Sequence, residues 1–439
     1  MDRFSQFADS VSVVGLLAAA LVGAVAWVLT PPKYRLPAAL ALTCVVLTGG
    51  KLKDLVTTTA VCKIASGPCF AVVCLAALMH PGPRIAVLPA VYTFPVVAAA
   101  LVASVSSAVD AEIAVIIRAN WTLLTVAGIL TARTIASRDA LLTVLYGLVA
   151  GLGISTLLTF SQLLLNPASA ISSGFGRFSP YGCNPNQIAL TYAMTAGVGL
   201  TLCSLPISPR VRPVITSLVA LAIGQAVLSV SRTAVIFIAV LCLPTIFRLC
   251  RRPIYAAAAT AAVAVVVGWL LTRADTASFE RLDRGLDRAK HWDVVLEDVA
   301  ARPAFGIWGV EHAYAVDLEH NPHNAYVYML YLGGAFLAVP LFAAQLWGHY
   351  CAARVWLNRR RLPLPPEAIT LMTSLSACHF VSGLVNCIIY YPTYIWAFLT
   401  VMHTAVFTGL HGSLVEMRRR QRQPWLYEGR AAPGRRMAA

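Results

Sequence analysis

Charged side chains are scarce in this sequence. They make up 12% of its 439 residues, and 58% of the residues are hydrophobic, whereas soluble domains carry about 25% charged residues. A soluble core could not hide this many apolar runs of about 20 residues, each long enough to cross a bilayer as a helix. The alternating segments of about 10 residues that are typical of membrane β-barrels are missing. The sequence therefore predicts an all-α polytopic membrane protein.

Motifs for metal, nucleotide or redox chemistry are missing as well. The 11 cysteines form no CxxC pair and show no metal-ligand spacing. The chain has no Walker loop, Rossmann glycine fingerprint, DxD pair or HExxH. A net charge of +15 would suggest nucleic acid in a soluble protein. Here much of the excess lies in short loops and the C-terminal tail, as in the positive-inside pattern of membrane proteins.

The apolar runs predict about twelve transmembrane helices with both termini cytoplasmic. Basic residues at 248–252, at 354–361 and from 418 onward mark the cytoplasmic side. The segments 166–187 and 229–232 then lie on the opposite side, together with one long hydrophilic interval. The orientation of the first 80 residues stays open, because lysines interrupt the apolar pattern there.

Four parts follow from this pattern. A helix bundle with short loops covers residues 1–272, and a large noncytoplasmic loop containing short helices covers 273–325. Further transmembrane helices cover 326–411, and a basic cytoplasmic tail covers 412–439. The large loop is the main place where water-soluble chemistry can occur.

A histidine at the start of an apolar helix is the main candidate for acid–base chemistry. His323 is followed by Asn324 and, after nine intervening residues, by Gly334. A neutral imidazole at a membrane surface can take a proton from a sugar hydroxyl near neutral pH. His320 is a rival base three residues earlier. The alternative for His323 is a capping or loop histidine that is hydrogen-bonded to the backbone.

Two arginines on the same predicted side could bind an anion. Arg232 lies in a turn between two spans, and its guanidinium presents donors that match phosphate oxygens bidentately. Simple snorkelling to the interface is the alternative. Arg177 lies in a loop rich in turn-forming residues that ends at Asn184 and Asn186, where Asn can cap the next helix. A structured capping loop is the alternative for Arg177.

Arg288 and Trp292 lie four residues apart in the large loop. In a helix they would share one face. The alternative is an amphipathic helix with solvated ion pairs that lies on the membrane surface.

Taken in order along the chain, these residues resemble the O-antigen ligase and polymerase superfamily. The resemblance covers roughly residues 170–340 and is carried by Arg177 with Asn184-Pro185-Asn186, Ser231-Arg232, Arg288-x-x-x-Trp292, Pro303-x-x-Gly306 and His323-Asn324-x9-Gly334. The ligase pattern usually has a second glycine three residues after the first, and this chain has Leu337 there.

The resemblance implies an enzyme of the bacterial inner membrane with its active site on the periplasmic side. Such an enzyme transfers O-antigen from undecaprenyl diphosphate to a sugar hydroxyl of lipid A-core, with inversion and without metal or other cofactor. Membrane lipids are the remaining expected partners, and nucleic acid is not expected. The expected catalytic residues are His323, Arg232 and Arg288, and the expected substrate-binding residues are Arg177, Asn184, Asn186, Trp292, His320 and Asn324.

Three rival interpretations stay open. An O-antigen polymerase would use the same donor with a second lipid-linked repeat unit as acceptor. A protein O-oligosaccharyltransferase typically carries more soluble sequence after the His-Asn helix than this chain has. A lipid or sugar transporter would show charges spread through the middle of many helices, and the sequence shows no inverted repeat.

Overall fold

The structure is a computed structural model that describes residues 25, 27–87, 111–171, 176–249, 295–304, 306, 324–385 and 395–422. Within these ranges the chain is helical, in agreement with the predicted class. Five of the described helices are long and apolar enough to cross a membrane.

The longer described helices lie along the apolar stretches of the sequence. In chain order the helices are α1 (Pro32–Gly49), α2 (Val56–Met79), α3 (Ala111–Thr134), α4 (Arg138–Leu165), the short α5 (Pro167–Ala170), α6 (Pro185–Cys203), α7 (Val211–Leu228), α8 (Arg232–Leu249), α9 (Ala325–Leu357), α10 (Pro366–Val385) and α11 (Ile395–Arg422).

The helices run up and down, so their connections gather at two ends of the bundle. We define the loop end by the turn 50–55, the loop 176–184 and the turn 229–231. We define the arginine end by the connections 80–87, 204–210 and 358–365. The connections 50–55, 204–210, 229–231 and 358–365 each join two described helices that contact each other, as short loops do between antiparallel helices in bundles.

The orientation of the first helices, which the sequence left open, follows from one backbone contact. The Asp54 N–H donates to the Tyr181 carbonyl over 3.0 Å. The turn 50–55 therefore lies at the loop end, and α1 begins at the arginine end.

Two glycines of α4 allow this helix to pack closely against α1. A Cβ added at Gly147 of α4 would lie 2.7 Å from the Pro37 Cα of α1, and one added at Gly151 would lie 2.7 Å from the Ala41 Cα. Small residues spaced four apart allow two backbones to approach in this way in membrane helices. The backbones of α1, which leads into the turn 50–55, and α4 are therefore in close contact.

The last helix is longer than the sequence predicted. We expected the transmembrane part to end near residue 411, but α11 continues to Arg422. Arg420 and Glu416 lie one turn apart with their charged groups 3.2 Å apart, a spacing that supports a solvated helix end. The first part of the predicted tail is therefore helical.

Candidate functional site

Arg177 joins two segments that are far apart in the sequence. Its Nε donates to the Ser229 carbonyl over 2.9 Å, and its Nη2 donates to Asn186 Oδ1 over 2.6 Å. The neighbouring Phe178 N–H donates to the Leu228 carbonyl over 3.0 Å. Only 8% of Arg177 is exposed. The loop 176–184 is thereby held against the turn that leads into α8.

The turn before Arg232 has an unusual backbone. Val230 has a φ of 48°, and a β-branched residue rarely adopts this left-handed conformation. Such strain persists only where the surroundings hold it, and it concentrates at functional sites. Two hydrogen bonds to the residues before Val230 provide such surroundings: Arg177 donates to the Ser229 carbonyl, and the Phe178 N–H donates to the Leu228 carbonyl. Arg232 is the first residue of α8, and its side chain lies outside the described residues.

Asn184 caps α6, as the sequence predicted. Its side chain accepts a hydrogen bond from the Asn186 N–H over 3.0 Å, and Pro185 occupies the first helical position. Proline is favoured there because its missing N–H would have no partner within the helix. The cap fixes the start of α6 and, with it, the Asn186 amide that accepts from Arg177.

A lysine that the sequence did not single out lies in the same region. Lys51 follows α1 in the turn 50–55, and its carbonyl accepts a hydrogen bond from the Cys183 thiol over 3.2 Å. Burial lowers the pKa of Lys51 from 10.5 to about 7, and the neighbouring Cys183 acts in the opposite direction. Polar residues that interrupt an apolar region were the only signal in the sequence, and they did not reveal the contact with residue 183.

Asn324 caps α9. Its side chain accepts hydrogen bonds from the Tyr326 N–H over 2.9 Å and the Val327 N–H over 3.2 Å. An Asn at this position satisfies N–H groups that the helix leaves open. In the described residues, the role of the Asn324 amide oxygen is therefore structural, since it caps α9. A contact between Asn324 and substrate stays a prediction.

The helix that follows Asn324 is broken at Gly334. This residue has φ 56° and ψ −158°, a conformation that is essentially restricted to glycine. The sequence predicted a continuous helix here. The break frees the Ala335 and Phe336 N–H groups, which donate to the Pro303 and Ala304 carbonyls over 2.8 and 3.0 Å.

Gly306 makes this arrangement sterically possible. Its φ is 62°, and a Cβ at this position would lie 2.7 Å from the Gly334 nitrogen and would also strike the Tyr331 carbonyl. The Pro303-x-x-Gly306 motif and the glycine after the His-Asn pair are therefore in direct contact. Leu337 replaces the second glycine of the ligase pattern, and it packs over Gly333, where an added Cβ would lie 2.7 Å from Leu337 Cδ2.

The predicted site is described in part. Arg177, Asn186 and the turn before Arg232 come together, Asn184 caps α6, and Asn324 caps α9. The proposed base His323, its rival His320, and the pair Arg288 and Trp292 lie outside the described residues.

A histidine cluster between α9, α10 and α11 was also not predicted from the sequence. The His379 and His403 ring centroids are 5.2 Å apart, and the Trp396 centroid lies 4.9 Å from that of His379. His349 Nδ1 lies 3.1 Å from Ser376 Oγ. The signal in the sequence was a titratable residue inside each of three apolar runs. Within the described ranges, no group of three or more His, Cys, Asp or Glu side chains has the arrangement of a metal site.

Comparison with known proteins adds no family to these observations. The chain matches none of the protein-family models in a family scan, and no curated protein matches it in a sequence search.

Proposed function

We propose that this chain is an O-antigen ligase: a glycosyltransferase that joins O-antigen from undecaprenyl diphosphate to a sugar hydroxyl of lipid A-core. The observation that carries the proposal is the pair of hydrogen bonds from Arg177 to Ser229 and Asn186. The bond to Asn186 lies within the first motif of the family resemblance, and the bond to Ser229 holds that motif against the turn that leads into Ser231-Arg232. The contact between Gly306 and Gly334 connects two further motifs.

The donor chemistry suits a set of fixed arginines. Undecaprenyl diphosphate is already a good leaving group, so the main requirement is to stabilise the negative charge that develops on it. Donors that are held in place before the reaction provide this stabilisation without reorganisation. In this proposal Arg232 and Arg288 bind the diphosphate, and Arg177 holds the strained turn from which Arg232 emerges.

The acceptor chemistry requires a base near the start of α9. His323 directly precedes Asn324, the residue that caps α9. In this proposal His323 takes the proton from the acceptor hydroxyl as that oxygen attacks the anomeric carbon, and the configuration inverts. The break at Gly334 supports this assignment, because the segment 303–306 then fixes the direction of the first turns of α9. Trp292, His320 and the asparagines complete the substrate-binding set.

The proposed topology has about twelve spans in the bacterial inner membrane, with the loop end and residues 273–325 facing the periplasm. The clustering of arginines at the opposite end supports this orientation. Both lipid-linked substrates would then approach laterally between helices, which restricts their search and aligns them for attack.

The first experiment deletes the gene for this protein in the organism that makes it and compares the lipopolysaccharide pattern. A ligase deletion leaves bare lipid A-core while full-length polymer accumulates on undecaprenyl diphosphate. Core that carries a single repeat unit would instead identify a polymerase, and an unchanged lipopolysaccharide pattern would refute both assignments.

The second experiment is in vitro ligation with purified lipid-linked donor and lipid A-core. His323→Ala should slow the chemical step by roughly 10²–10⁴-fold, the usual range for a lost general base. Donor binding should persist, and His320→Ala should cost little. An inactive His320→Ala beside an active His323→Ala would show that the base is His320.

Lysine variants test the two proposed diphosphate-binding arginines, and an exposed arginine at the other end of the bundle is the control. Arg232→Lys and Arg288→Lys should lose most activity, because lysine cannot reproduce the planar bidentate fork. Arg210→Lys, an exposed change at the arginine end, should leave ligation unchanged. Near wild-type rates in both active-site variants would refute the diphosphate clamp.

A further inference from the structure

A ring cluster lies between α9 and α11, towards the arginine end. The two helices touch at Gly348, where an added Cβ would lie 2.7 Å from Thr404 Cγ2. Beside this contact, Trp347 and Tyr350 of α9 stack with centroids 5.2 Å apart, and the His411 ring of α11 stands edge-on to both at 6.1 and 5.9 Å. Trp347 is 39% exposed and Tyr350 is 48% exposed. Aromatic rings are therefore accessible on helices that are apolar enough to cross a membrane.

Two arginines lie next to this cluster, one from each helix. Arg354 follows Tyr350 by one turn of α9, and Arg418 follows His411 by two turns of α11. Both are half-buried, and both guanidinium groups act electrostatically on His411. Asn358 links them, since its Nδ2 donates to the Arg354 carbonyl over 2.8 Å and its Oδ1 accepts from Arg418 over 2.9 Å. The Arg418 guanidinium is therefore held beside the last turn of α9, close to the backbone of Arg354.

His411 carries a polar atom that needs a partner. Its Nδ1 is buried and has no hydrogen-bond partner among the described residues. A phosphate group at the surface beside His411 would be attracted by both arginines.

We propose that the surface formed by Trp347 and Tyr350, with Arg354 and Arg418 beside them, binds one anionic glycerophospholipid. Its phosphate lies between Arg354 and Arg418, and its acyl chains lie along Trp347 and Tyr350. Charge complementarity favours an anionic lipid over a zwitterionic one. Aromatic rings beside basic residues at the end of a spanning helix match the composition of a membrane interface. The proposal does not depend on glycosyl transfer.

Neighbouring arginines on α11 provide a matched control. Arg419 and Arg420 are exposed, and Arg420 pairs with Glu416 over 3.2 Å. Such exposed pairs contribute little to stability. The double variants R354Q/R418Q and R419Q/R420Q therefore lose the same charge, but only the first removes the proposed phosphate contacts.

The test is native mass spectrometry of the full chain in a non-ionic detergent, titrated with phosphatidylglycerol, phosphatidylcholine or inorganic phosphate. Wild-type protein should bind phosphatidylglycerol at least about tenfold more tightly than phosphatidylcholine, since charge-assisted hydrogen bonds are the strong ones. R354Q/R418Q should weaken phosphatidylglycerol binding by about tenfold or more, and R419Q/R420Q should leave it nearly unchanged. Trp347→Ala should weaken it with all charges present.

Three results would overturn the proposal. Equal weakening by both double variants would reduce the effect to a diffuse basic surface. Equal affinities for phosphatidylglycerol and phosphatidylcholine would show that the arginines do not select the lipid headgroup. Displacement of phosphatidylglycerol by millimolar inorganic phosphate alone would make the site an anion site without a lipid requirement. R354K/R418K keeps both charges and controls for misfolding, so partial binding by this variant beside weak binding by R354Q/R418Q supports the phosphate contacts.

Discussion

Replacing Gly306 with alanine tests the contact on which the break in α9 depends. Gly306 has a φ of 62° and lies against the Gly334 nitrogen, whereas Gly176 has a φ of 57° and no atom within 4 Å of an added Cβ. Both substitutions incur the left-handed backbone cost of roughly 1–2 kcal/mol. Only Gly306→Ala also forces two backbones apart.

The additional cost follows from the hydrogen bonds at the break. Separation of the 303–306 segment would remove the bonds from Ala335 to Pro303 and from Phe336 to Ala304. Each contributes about 1 kcal/mol net, and each buried group that stays without a partner costs about 1–3 kcal/mol. We expect Gly306→Ala to destabilise the protein by roughly 3–5 kcal/mol, against roughly 1–2 kcal/mol for Gly176→Ala.

The assay compares thermal unfolding of both variants in detergent, followed by size-exclusion recovery and intrinsic tryptophan fluorescence. The ligation rate of any folded Gly306→Ala protein would be measured in parallel. Equal midpoints for the two variants would refute the steric argument. A stable Gly306→Ala protein with full ligation activity would show that the break in α9 does not matter for the proposed reaction.

Three further predictions concern the loop end. Arg177→Lys should lose at least one of its two hydrogen bonds and destabilise the protein by about 1.5–3 kcal/mol. It should also slow ligation, while exposed Arg210→Lys changes neither quantity. Because burial lowers the pKa of Lys51 from 10.5 to about 7, the unfolded chain holds that proton more tightly, and stability should rise with pH across this window. Lys51→Met should flatten the rise, and an unchanged pH profile of unfolding would contradict the assignment. Asn324→Ala should cost about 1 kcal/mol as a lost cap, whereas Asn324→Asp should retain stability in the same thermal assay.

The contacts of Arg177 agree with the capping-loop alternative that the sequence left open. From its position in a polar loop we expected a direct substrate contact or a capping loop. Two of its donor nitrogens bond to Ser229 and Asn186, so its described part is to position the start of α8. A direct contact between Arg177 and the diphosphate stays a prediction.

The sequence by itself determined the helical class of this protein and the start of α6. Apolar runs of about 20 residues are long enough to cross a bilayer as helices, and Asn184 followed by proline marks a helix start through local hydrogen bonding alone. These signals act over a few residues and can therefore be read without a structure. The break at Gly334 could not be predicted in this way, because a glycine inside an apolar run is compatible with a continuous helix.

Only the tertiary structure decided which distant segments meet. Lys51 lies against Cys183, Arg177 lies against Ser229, and Gly306 lies against Gly334. Each of these contacts depends on how separate helices pack, and helix packing is set by side-chain shape across the whole bundle rather than by local spacing. The same reason explains why the contact between His379 and His403 was not predicted from the sequence. Each occupies its own apolar run, and only the packing of α10 against α11 brings the two rings to 5.2 Å.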